Sequence, residues 1–179
     1  MRPLLLVGGF GLALALRVLI GGDDVATSQR AGLAFAAALL VLSLAARVRV
    51  RFSTKAVAIG LGGLLLVCAP VLLERAVTLR PLRGTEGFVI WALVVLVVAG
   101  AEELFLRGAL YDAIANPTAA IVLGAVLFAL LHVPLYGWHV LPLDLAVGVV
   151  LGGLRQGAGT PLAPAVAHVG ADWIGWFVS

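Results

Sequence analysis

Long apolar runs alternate with short polar breaks along this chain. The runs occupy roughly residues 3–20, 31–46, 56–73, 86–115, 118–135, 140–154 and 160–178. Between them lie GGDDVATSQR, RVRVRFSTK, ERAVTLRPLRGTEG, ANPT, YGWH and RQGAGTP. No run shows the alternation with period two that a half-buried strand needs, and no repeat or low-complexity tract interrupts the series. A perpendicular helix needs ~20 apolar residues to cross a bilayer, so the shorter runs imply tilted or re-entrant segments. The pattern predicts an all-α, polytopic transmembrane helix bundle of about seven spans. It forms a single integral membrane domain over residues 1–179. Asn116-Pro117 is a turn, because proline disfavours the helical conformation of the residue before it, and it joins spans four and five as a hairpin.

Composition strengthens this picture. The chain is 63% hydrophobic and only 12% charged, with a mean hydropathy of +1.15; soluble domains carry about a quarter charged residues. No Lys/Arg cluster is interleaved with aromatics, which argues against a nucleic-acid partner and leaves membrane lipids as the surroundings. Cys68 is the single cysteine, so neither an intrachain disulfide nor a multi-cysteine metal site can form. The N-terminal stretch has the look of a signal peptide, but the spans that follow make it the first transmembrane helix. The loop with Arg47, Arg49, Arg51 and Lys55 is the best cytoplasmic candidate. On that choice Arg2 and Arg155 join it inside, and Arg17, Arg30, Arg75, Arg80 and Arg83 fall outside. Six against five leaves the orientation open.

The question the charge pattern raises is why Glu102, Glu103 and Arg107 interrupt an apolar run. Each ionisable group at the bilayer centre costs ~3 kcal/mol on insertion scales, and Glu102, Glu103, Arg107, His132 and Asp172 together cost on the order of 10 kcal/mol before pairing. Depth links them. Glu102 lies 14 residues before Asn116 and His132 lies 16 after it, which places them roughly 21 and 24 Å from the turn. His168 lies 11 residues beyond Gly157, roughly 16 Å along its helix. Three helices thus bring titratable groups to one layer. Helical phase pairs Glu103 with Arg107, Phe128 with His132, and His168 with Asp172, all at i,i+4; Glu102 points elsewhere and has no such local partner. An interhelical polar clamp and a functional site both fit these charges.

In order, the residues read Glu102-Glu103-x-x-x-Arg107, Phe128-x-x-x-His132 and His168-x-x-x-Asp172. This resembles the intramembrane protease family of CAAX prenyl proteases and bacteriocin-processing enzymes (CPBP, or Abi), with its EExxxR, FxxxH and HxxxN/D patterns on successive helices. The match covers roughly residues 88–176, within a catalytic core of approximately 86–178. The resemblance implies hydrolysis of a peptide bond in a membrane cavity, on a peptide or a prenylated or otherwise lipidated protein. It implies that Glu102 and His132 hold and activate water, that Glu103, Arg107 and Phe128 support them, and that His168 and Asp172 stabilise the developing oxyanion. Relatives carry Asn at the last position, and Asp172 donates a hydrogen bond only when protonated; otherwise it orients His168. No cofactor is favoured, with zinc on Glu102, His132 and His168 as the alternative. A compact all-membrane member of this kind is expected in the plasma (inner) membrane of a prokaryote.

Other readings compete. A catalytically silent membrane binding or scaffold protein of the same fold, or a small proton-coupled transporter, also needs a buried acidic layer. The HExxH of zinc intramembrane proteases is absent. Tyr111-Asp112 is not followed by GxGD, and Ser43 lacks a GxSx context and reads as a small interface residue. Trp138 reads as an interfacial anchor and His139 as a loop residue. Asp144 reads as an interfacial acid or a helix N-terminal contact. Gly148-x-x-x-Gly152 predicts close helix packing. Trp173 and Trp176 read as anchors or as the lining of an entrance, and Asp23 and Asp24 as a solvated loop.

Overall fold

The computed structural model describes the backbone of residues 2–78 and 83–178, and the side chains of these except 75–78. It is all helical among the described residues and forms a membrane bundle of seven helices. These are α1 (Pro3–Gly21), α2 (Gln29–Ala45), α3 (Thr54–Thr78), α4 (Phe88–Ala113), α5 (Pro117–Tyr136), α6 (Leu141–Ala158) and α7 (Leu162–Val178). The helices match the seven apolar runs, with ends displaced by a few residues. Five segments are long and apolar enough to span: Pro3–Asp24, Thr54–Glu74, Phe88–Ala113, Pro117–Tyr136 and Trp138–Ala158. Helices α2 and α7 have 17 residues each, about 25 Å of rise. The expected placement of Arg75 and Arg80 lies outside the described side chains.

Local chemistry fixes the helix ends. Asn116 caps α5 by accepting from Ala119 N at 3.0 Å, with Pro117 at the first helical position, where its missing N–H has no partner to lose. Gly159 closes α6 with φ +70°, a left-handed conformation that glycine adopts without strain. Ser28 caps α2 on Ala31 N.

α3 packs along α7 and α5 along α6, while α1 and α2 lean on the middle of α4. Phe10 joins these layers: it stands edge-on to Phe35 at 6.0 Å and stacks on Phe105 at 5.6 Å. Leu4, Leu12 and Leu19 of α1 face outward, as a lipid-facing surface requires. Gly148 and Gly152 set the α5–α6 distance, as their spacing predicts. A Cβ on Gly148 would come within 2.7 Å of Ala125 Cα, and one on Gly152 within 2.8 Å of Ile121 Cγ2. Ser43 is buried with its hydroxyl donating to Leu39 O, the small interface residue it was expected to be.

One feature of α4 has no counterpart in the sequence pattern. Leu104–Leu110 is a π-helical turn, wider than an α turn by one residue. The carbonyl of Arg107 in this turn accepts from Arg155 Nε of α6 at 2.7 Å.

Candidate functional site

The site begins at that wide turn. Glu102 and Glu103 end the regular part of α4, both buried, and Arg107 sits inside the π segment with 2% exposure. Glu103 Oε1 accepts from Arg107 Nη1 at 2.8 Å, the expected i,i+4 pair. The same oxygen accepts from His168 Nδ1 of α7 at 2.9 Å, so Glu103 ties two helices together as well as neutralising its neighbour. Arg107 Nη2 continues to Gly148 O at 3.2 Å, a carbonyl within reach because α5 and α6 touch there with no side chain between. The guanidinium also lies over the Phe128 ring, 4.8 Å from its centroid.

Phe128 divides the two imidazoles. Its ring stands edge-on to His132 at 4.7 Å and to His168 at 5.2 Å. His132 Nδ1 lies 2.9 Å from Phe128 O. A carbonyl only accepts, so Nδ1 carries the hydrogen and Nε2 of a neutral ring keeps its lone pair. Asp144 Oδ2 stands 3.7 Å from the same Nδ1. Asp144 is in the first turn of α6, as a helix N-terminal acid should be, but its contact with His132 also makes it part of the cavity wall. His168 shows Nε2 to Asp172 Oδ2 at 3.6 Å, so Glu103 and Asp172 stand at its two nitrogens.

Glu102, His132, His168, Asp172 and Phe128 line one cavity of about 780 Å³ that runs from the Ala26–Gln29 loop and Arg83 inward between α1, α4, α5 and α7. Trp176 lines it near Arg83, whose guanidinium lies 3.7 Å from the centre of the Trp176 ring. Trp176 Nε1 donates to Gly84 O and Trp173 Nε1 to Ala92 O, which fastens the end of α7 to the start of α4. The convergence expected from helix lengths is therefore present for all three motif helices. Trp138, His139, Asp23 and Asp24 are exposed and away from it.

Arg17 was missed. It was counted among the outside charges, yet it is 7% exposed and its Nη1 lies 3.6 Å from Glu102 Oε1. The available signal was an acid without an i,i+4 partner together with a lone cation in the run GLALALRVLIGG. Arg155 was also read as a loop charge; it joins Asp112 at 2.7 Å as well as the Arg107 carbonyl.

The zinc alternative named Glu102, His132 and His168. Among the described residues no group of three His, Cys, Asp or Glu side chains is arranged to hold an ion. Glu103 and Asp172 stand at the two nitrogens of His168, while His132, with Nδ1 on Phe128 O, keeps Nε2 as its lone-pair nitrogen.

A membrane helix bundle with paired acids and two imidazoles around one partly open cavity has the architecture that an intramembrane hydrolase requires. Residues 84–174, half of the chain, match the family described as Type II CAAX prenyl endopeptidase Rce1-like, and the chain belongs to that family. No curated protein matches it, and no solved structure does.

Proposed function

We propose that this protein is an intramembrane endopeptidase that hydrolyses a peptide bond of a membrane-associated substrate, prenylated and CAAX-type or a leader peptide. The observation that carries the proposal is the gathering of Glu102, His132 and His168, from three helices, on one cavity wall inside the membrane-spanning part. Family membership supports the hydrolytic class. In this reading Glu102 takes a proton from water while His132, with Nδ1 anchored on the Phe128 carbonyl, holds the water through Nε2. His168 and Asp172 form the oxyanion side, and Glu103 and Arg107 fix His168 in place. The chemistry runs on these side chains without a metal, and the enzyme resides in the inner membrane of a prokaryote.

The test uses purified protein in nanodiscs with two probes: a farnesylated CAAX peptide and a membrane-embedded leader peptide. Cleavage of either one that disappears in Glu102→Gln and His132→Ala, with folding intact, is the expected result. No cleavage of either probe by wild-type protein, together with ion or solute flux in proteoliposomes, would replace the reading with transport.

A further inference from the structure

Arg17 lines the cavity beside Glu102, and the hydrolytic scheme leaves its chemistry unused. It comes from α1, outside the residues that match the family. It is one turn from the end of α1, where the helix dipole favours a cation, and its guanidinium rests 5.1 Å from the centre of the Phe35 ring. Its contact with Glu102 at 3.6 Å is an ion pair without a hydrogen bond. Arg17 Nε and Nη1 are buried with no hydrogen-bond acceptor among the described residues. A buried donor without a partner costs ~1–3 kcal/mol, more when charged. Arg107, similarly buried in the same bundle, has acceptors for two of its nitrogens. Arg17 lines the cavity itself; Nε and Nη1 are closed off, and Nη2 is the nitrogen that an acceptor arriving through the cavity meets.

We infer that Arg17 is a further catalytic residue, which receives the carbonyl oxygen of the scissile peptide bond and holds it as it becomes an oxyanion. The inference rests on the hydrolytic reading above. Water adds to the carbonyl carbon, its proton passes to Glu102, and the carbonyl π pair moves onto oxygen. Arg17 Nη2–H donates to that oxygen. When the C–N bond breaks, the amine leaves with the proton from Glu102. An oxygen bound to Arg17 sits beside the carboxylate that activates the water, which is where the carbonyl must be. A substrate's terminal carboxylate lies farther along, by ~3.5 Å for each residue past the scissile bond.

The experiment measures kcat and KM for wild type, Arg17→Lys and Arg17→Gln, and the affinity of each for a phosphonate peptide that mimics the tetrahedral intermediate. Loss of an oxyanion donor lowers kcat by about 100-fold or more. The expected result is that fall in Arg17→Gln and a smaller one in Arg17→Lys, with KM little changed. Phosphonate affinity falls in step with kcat/KM across the three proteins. Arg17→Lys keeps the charge beside Glu102, so it maintains the ion pair if Gln does not fold. Unchanged phosphonate affinity in a variant with reduced kcat would overturn the inference and leave Arg17 a support for Glu102. A defect confined to substrates with a free C-terminus, and absent when the same peptide is amidated, would overturn it in favour of a carboxylate reader. Wild-type protein without turnover would defeat the hydrolytic reading itself, whereas turnover untouched by either substitution would defeat the role of Arg17 alone.

Discussion

Replacing Glu103 by Gln separates two roles that one carboxylate plays. Glu103 is fully covered and Arg107 is 2% exposed. One oxygen of Glu103 serves both Arg107 at 2.8 Å and His168 at 2.9 Å. Glutamine keeps the shape and one acceptor but removes the charge that Arg107 faces. An interhelical hydrogen bond within a bilayer is worth about 0.6 kcal/mol on average and about 1.7 at most. Removing one partner of a buried ion pair costs ~3–5 kcal/mol, because the other charge stays buried. A counter-ion role therefore predicts that Glu103→Gln lowers unfolding free energy by at least ~3 kcal/mol. The pair Glu103→Leu with Arg107→Met removes both charges. It leaves His168 Nδ1 short of a partner, at ~1–3 kcal/mol for a buried unsatisfied group. The double variant is then no worse than the single, and the double-mutant cycle shows coupling of about 2 kcal/mol or more. SDS titration of wild type, Glu103→Gln, Glu103→Leu, Arg107→Met and the double variant in mixed micelles, followed by tryptophan fluorescence, supplies the free energies. A loss below ~1.7 kcal/mol for Glu103→Gln, or strictly additive single effects, would refute the counter-ion assignment.

Three further outcomes follow from the site and its supports. Asp172→Asn keeps substantial activity in the cleavage assay, since the amide can donate where Asp172 stands 3.6 Å from His168 Nε2; complete loss with folding intact would reject a donor role. Gly148→Ala destabilises by ~1–3 kcal/mol, because its new Cβ would meet backbone at Ala125 2.7 Å away. Gly152→Ala meets the Ile121 side chain instead, so its loss is smaller, and the opposite ranking in SDS unfolding would contradict the α5–α6 packing. Protein washed with a strong chelator retains its turnover, and stoichiometric zinc in active washed protein would reverse the metal-free reading.

The bundle was legible because each run is apolar over the length of a span and each break carries a polar or glycine-proline signal. Asn116-Pro117 shows this best, since one dipeptide fixes both a cap and the depth of the residues on either side. The three motif helices were placed correctly by rise alone, because distance along a helix follows from counting. Lateral contacts were another matter. Glu103 was recognised as the partner of Arg107, a local relation, but its bond to His168 crosses 65 positions and leaves no periodic trace. Arg17 was misplaced for the same reason: its partner Glu102 belongs to another helix, and a cation near the end of a span reads as a boundary charge. Asp144 was correctly seen as a first-turn acid, while its proximity to His132 depended on how α6 packs against α5. The π turn was invisible because its composition, LFLRGAL, is ordinary helical sequence.

That wide turn makes the length of α4 more exacting than its composition. An α-helix advances by about 100° per residue, so removing any one residue between Leu104 and Leu110 would restore ordinary winding. A deletion among Leu104, Phe105 and Leu106 would also shorten the Glu103–Arg107 spacing from four residues to three. Glu103 would then no longer meet both Arg107 and His168 through one oxygen, although every motif residue was still present. Exchange of one aliphatic side chain for another in this segment is a packing event, whereas a single-codon deletion is a change of aim.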